Sequence, residues 1–179
     1  SYSILMLKNT LFFTLFYFNI FFSPLNGELI LPSNNSILNY VHVLFEWSQV
    51  PDTYEYRIQV STASDFSEVV TDTTVSFLIY IDDNNIQWSS DYFWRIRPIY
   101  SDQQGPWSEV NTFSTGQKRS EATAVLYNDQ QYNMGLTIFG SFYNYYSAMI
   151  DKNGNEVWNT GNNEIVYYST TPYLDLLGC

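Results

Sequence analysis

The sequence predicts an all-β chain: a two-sheet sandwich over residues 28–115, then an incomplete β-meander over residues 122–179. Three observations carry this. Apolar and polar residues alternate with a period of two in several short runs, the mark of strands with one buried face. Gly, Pro, Asn and Asp punctuate those runs. No stretch between Glu28 and Thr115 holds a helical period for three turns.

Residues 1–27 read as a secretory signal ahead of the β regions. The run 10–22 (TLFFTLFYFNIFF) is almost wholly apolar, follows the single cation Lys8, and gives way to Ser23, Pro24, Asn26 and Gly27. That is the layout of a charged n-region, an apolar h-region and a turn-forming exit. The run is about 13 residues long, against the roughly 20 that a bilayer-spanning helix needs, so it fits a cleaved signal better than a permanent anchor. A start at Met6 gives the signal an ordinary beginning, with residues 1–5 upstream of it. The chain opens on Ser1 and stops at Cys179. We therefore expect the N-terminal part of a longer, secreted or periplasmic protein, with no membrane contact once the signal is removed.

The sandwich is read strand by strand. LILPSNNS is an apolar run interrupted by proline. Val43, Phe45 and Trp47 share one face with Glu46 on the other; Tyr56, Ile58 and Val60 oppose Glu55, Arg57 and Gln59; Tyr92, Trp94 and Ile96 oppose Arg95 and Arg97. Three half-buried strands need a facing layer, and a second antiparallel sheet is the economical solution. The run GPWSEVNTFST closes the region with turn-formers and Phe113 on a last strand.

These residues resemble the fibronectin type III domains, an immunoglobulin-like fold, over the whole of residues 28–115. LILPSNNS is similar to the family's proline-bearing first strand, and VLFEWSQVPDTYEYRIQVS to its second and third, with Trp47 at the core tryptophan position. In NIQWSSDYFWRIRP, Ile86 precedes Tyr92 by the family's tyrosine-corner spacing. The resemblance implies that the Tyr92 hydroxyl hydrogen-bonds to upstream backbone. Trp88 stands where the family often has proline.

Residues 116–121 (GQKRSE) form a polar linker of the kind that separates domains. Beyond it, GLTIFGSF, YYSAMIDKNGNEVWNTG and EIVYYST read as short strands, and Asn153-Gly154 between apolar alternations predicts a type I′ hairpin turn. Such a meander has exposed edges and little core, so more chain is expected to complete it. The run IDKNGNEVWNTG resembles the first blade of an arylsulfotransferase-like β-propeller, with Ile150, Asp151, Gly154, Val157 and Trp158 at matching positions. That resemblance implies sulfuryl transfer between aromatic hydroxyls in the full-length protein, through a histidine nucleophile in later blades.

Charge and side-chain chemistry exclude several classes. The chain carries 18 Asp and Glu against 7 Lys and Arg, with no basic stripe, so a nucleic-acid partner is not expected. The single cysteine, Cys179, leaves no disulfide within the chain and no zinc cluster. His42 is the only histidine and has no Ser or Cys partner at a catalytic spacing. Asp82, Asp83, Asn84 and Asn85, and again Asp151, Asn153, Asn155 and Glu156, offer hard oxygens, yet in numbers that turn chemistry explains better than a calcium loop. Phe142, Tyr143, Tyr145 and Tyr146 suit strand packing before a ligand platform. Asn34-Asn35-Ser36 has the pattern of an N-glycosylation acceptor, relevant only in a eukaryotic secretory host.

No catalytic, cofactor-binding or metal-binding residue is assigned, and no cofactor. The expected role is a non-catalytic spacer or docking module ahead of a propeller. The alternative is an extracellular adhesion or carbohydrate-binding protein, with other domains of the same chain or an extracellular glycan or protein as partner.

Overall fold

A computed structural model describes residues 27–119, 135–141 and 146–161. The expected signal, most of the aromatic cluster at 142–145 and the expected strand EIVYYST lie outside the described residues. Eleven strands and no helix are found among those described.

Two sheets face one another. Strands β1 (Leu29–Leu31), β3 (Val43–Trp47) and β6 (Ile79–Asp82) form the smaller, in the order β1-β3-β6. Strands β2 (Ser36–Leu38), β4 (Glu55–Ser61), β5 (Val69–Val75), β7 (Asp91–Ile99) and β8 (Asn111–Thr115) form the larger, in the order β2-β8-β7-β4-β5. The expected all-β sandwich is therefore present. The first run divides at Pro32, so that β1 joins one sheet and β2 the other. Proline suits that switch point because it cannot donate to a ladder.

The alternation read from the sequence is the alternation of burial in β3 and β7, whereas in β4 it ends at Ile58, because Gln59, expected outward, is buried together with Val60 and Ser61. Val43, Phe45, Trp47, Ile58, Val60, Trp94 and Ile96 are each at most 1% exposed, which makes them the inner layer between the sheets. Phe45 meets Trp94 and Phe113 edge-on, at centroid distances of 5.1 and 5.8 Å, while Tyr92 stacks on Phe113 at 5.1 Å. Burying each such ring contributes roughly 1.5–3 kcal/mol. β2 pairs parallel with β8, whereas the other ladders of the sandwich are antiparallel.

A third, antiparallel sheet holds β9 (Thr137–Ser141), β10 (Tyr146–Ile150) and β11 (Glu156–Asn159), in the order β11-β10-β9. The turn joining β10 to β11 differs from the expected type I′. Gly154 has φ +84°, but Asn153 does not have positive φ. Gly154 N–H donates to the Asp151 carbonyl at 3.1 Å, and Asp151 N–H to the Asn155 carbonyl at 2.9 Å, which makes a three-residue loop with a left-handed glycine at its end. The Asp151 carboxylate explains the change. It accepts the Asn153 and Asn155 backbone N–H groups, both at 2.8 Å, and this local capture holds the first turn residues right-handed.

Candidate functional site

One end of the sandwich is built into a seat for the β10–β11 hairpin. The residues of the seat come from three connections: Asn39 to His42 before β3, Gln87 to Ser90 before β7, and Gly116 to Arg119 after β8. Their backbones are tied together first, because Gly116 N–H donates to the Leu38 carbonyl and Ser89 N–H to the Gly116 carbonyl, both at 2.8 Å.

Strand β11 is then hydrogen-bonded across the seat. Val41 N–H donates to the Val157 carbonyl at 2.9 Å and Asn159 N–H to the Asn39 carbonyl at 3.0 Å, bracketing an antiparallel bridge between Tyr40 and Trp158. The Trp88 indole N–H donates to the Glu156 carbonyl at 2.8 Å. Trp88, which stands where the resembled family often has proline, thus joins Asn39 and Val41 in holding the hairpin. Met149, Val157 and Trp158 belong to the same apolar cluster as Leu38, Val41 and Ile86, so the core continues from the sandwich into the third sheet.

Buried polar groups in the seat are satisfied mutually. The Glu156 side chain, 3% exposed, accepts from Arg119 N–H at 2.9 Å and from Asn159 Nδ2 at 2.6 Å. Asn159 Nδ2 also donates to the Gln117 carbonyl at 3.0 Å, and the Arg119 guanidinium to the Gly161 carbonyl. Gly161 has φ +69°, and a Cβ there would lie 2.5 Å from the Asn39 amide, so this crossing requires glycine.

His42 is half-buried beside the hairpin. The Asp151 carboxyl lies below the usual carboxylate range: burial pushes it up, but hydrogen bonds from Asn155 and Asn153 outweigh that, and the charge of His42 adds to them. Among the described residues no hydroxyl is hydrogen-bonded to His42.

The other acidic loop is closed on itself. Asp82, 1% exposed, accepts from the Thr71 hydroxyl, from Asn84 N–H at 3.1 Å and from Asn85 N–H at 2.9 Å. Among the described residues no group of three His, Cys, Asp or Glu side chains is placed to share a metal ion. The Asn34 Oδ1 accepts the Thr112 backbone N–H at 2.9 Å and its hydroxyl at 3.2 Å, which ties the β1–β2 turn to β8.

On the outer face of the larger sheet lies a ladder of cations and rings. Arg95 lies over Phe66 at 3.7 Å and over Trp107 at 4.2 Å, and Arg97 over Trp107 at 4.4 Å. Such contacts contribute about 0.5–1 kcal/mol each at exposed sites. Asp72 takes both ends of the Arg57 guanidinium, at 2.6 and 2.5 Å, and accepts from Gln59 at 2.9 Å. Burial and the neighbouring charges of Arg97 and Arg57 hold Arg95 below its ordinary value. The outward Arg95 and Arg97 follow from strand alternation. Phe66 and Trp107 are loop residues with no periodic signal, and only the chemistry of the pair identifies them afterwards.

No family profile matches the chain, and no curated protein matches it. Solved structures similar to it include a human fibronectin type III domain, at 17% identity and a TM-score of 0.42, covering 54% of this chain and 77% of that one. A fibronectin type III-like protein from Clostridium thermocellum has 12% identity and a TM-score of 0.39, over 49% of this chain and 93% of that one. The FN1–FN3 domains of chicken CNTN1 have 12% identity and a TM-score of 0.39, over 70% of this chain and 40% of that one.

Proposed function

We propose that the sandwich is a non-catalytic spacer that holds the following β-module at a fixed angle. The Trp88 indole bond to the Glu156 carbonyl carries this reading, because it joins the two regions across the shared core. A flexible linker would leave those backbone groups to water. Trp88→Phe leaves the Glu156 carbonyl without its donor, at a cost of roughly 1–3 kcal/mol. Amide hydrogen exchange reads the effect. Protection of Val41 and Asn159 should fall together in the variant while that of Val60 stays, and unchanged protection at all three would remove the case for a fixed junction.

A finer reading is that the module is an exported propeller enzyme resembling arylsulfotransferases. It is supported by the layout of residues 10–22 and by the consecutive antiparallel order of β9, β10 and β11, with Ile150, Asp151, Gly154, Val157 and Trp158 on or beside the hairpin. In the rival reading, the sandwich and the module are both adhesion surfaces for an extracellular glycan or protein. Peptide mass mapping of the protein from its natural host tests export and extent together. We expect a mature N-terminus between Ser23 and Glu28 and further blade repeats bearing histidines. A retained apolar run would make residues 10–22 an anchor, and repeats without histidines would favour adhesion.

A further inference from the structure

We propose that β6 is a self-association edge, through which two copies of this chain pair antiparallel about a two-fold axis at Tyr80. Strand β6 lies at the end of the order β1-β3-β6, so one side of its backbone has no ladder partner among the described strands. The Leu78 carbonyl is turned inward, accepting Trp47 N–H at 3.2 Å. By strand alternation the N–H and C=O groups of Ile79 and Ile81 therefore point to the open side.

The side chains there are those of a covered surface. Phe77 is 72% exposed, Ile79 49% and Ile81 55%, and in the ladder Ile81 lies opposite Leu44 on β3. Edge strands in monomers are ordinarily blunted by lysine, proline or a bulge. None of these interrupts Phe77 to Asp82, and the protection that β6 does have is its length of four residues and the inward-pointing Asp82 at its end.

Register and charge select the occupant. In an antiparallel pair centred on Tyr80, Ile79 of one copy faces Ile81 of the other, and both residues present their backbone groups to the partner. That is a hydrogen-bonded pair on each side of the axis. The same register places Asp82 opposite Leu78 and Asp83 opposite Phe77, so no two carboxylates meet across the pair. The self-pairing merges two three-stranded sheets into one of six strands and brings the exposed isoleucines side by side. A strand-wide contact of this kind is smaller than the ~1,200 Å² of a standard interface, so the affinity belongs to the micromolar range or weaker.

The test is sedimentation of the full chain from about 5 to about 500 µM, a range suited to an interface of that size, in salt near 0.15 M so that its net charge of −11 is screened. The mass should rise from one copy towards two, and Ile81→Lys should hold it at one copy with an unchanged circular dichroism spectrum. A second measurement covers a variant that fails to fold. Ile79→Cys and Ile81→Cys chains, each with Cys179→Ser, should form the mixed 79–81 disulfide on gentle oxidation in preference to either same-residue disulfide. A single copy throughout the range overturns the proposal. So does association that survives Ile81→Lys, because it would arise elsewhere, such as the apolar run 10–22.

Discussion

Two tyrosine hydroxyls take up backbone donors at the ends of the core. Gln87 N–H donates to Tyr92 Oη at 2.8 Å, the corner expected from the spacing of Ile86 and Tyr92, and Val50 N–H donates to Tyr56 Oη at 2.7 Å. Val50 also precedes Tyr56 by six residues, so the second corner shares the spacing of the first. Trp47 and Trp94 behave differently, since their buried indole nitrogens find no partner among the described residues. Each leaves a donor unmet, at a cost of about 1–3 kcal/mol. These two residues are therefore held by their volume. Tyr92→Phe should cost on the order of 1 kcal/mol in urea denaturation, rising if Gln87 N–H stays buried without an acceptor. Equal midpoints for the two chains would mean that water replaces the hydroxyl at no loss.

Among the strands, legibility follows burial. β3 and β7 alternate cleanly because one face of each is sealed and the other wetter, while on β4 the outward Gln59 is itself buried, between Asp72 and Arg95. β5 (VVTDTTV) and β6 (IYID) sit at sheet edges, where threonines occupy both faces of one and isoleucines the open face of the other, so polarity does not mark which side is inward. What holds β5 in place is in part electrostatic: Arg57 on β4 lies beside Asp72 on β5, at 2.5 Å. The hydrogen bonds from Arg57 lower the Asp72 pKa, against burial and with help from Gln59. A carboxyl with a folded value below its unfolded one stabilises the fold above the ordinary carboxylate range, and that contribution is lost as pH falls through the folded value. Stability should thus decline on acidification below about pH 4 less steeply in Asp72→Asn than in the parent chain. Parallel acid titrations of the melting temperature would show instead that solvent, which reaches about a third of both side chains, screens the pair.

At the scale of the molecule, β9, β10 and β11 form a sheet apart from the two of the sandwich, and its attachment to them could not be read locally. Trp88 and Glu156 are 68 residues apart, and each looks unremarkable in its own window: one is a departure from a familiar pattern, the other an acid in a turn. Only folding makes them neighbours. The same is true of Phe66, whose positive φ of 59° is costly for a bulky residue and is offset by the Arg95 guanidinium against its ring. Period-two alternation reports which face of a strand is buried. It says nothing about which distant loop will cover the end of a core.

The parallel pairing of β2 with β8 has a mechanical consequence. Ser36 lies opposite Phe113, Ile37 opposite Ser114 and Leu38 opposite Thr115, with both strands running the same way. Tension arriving at Ser36 from the N-terminal side and at Thr115 from the C-terminal side pulls these strands lengthwise past each other. Their hydrogen bonds are then strained in shear, all at once, where an antiparallel pair pulled from its open end would unzip one bond at a time. A chain strung between two attachments would resist stretching at this short ladder before its sheets came apart.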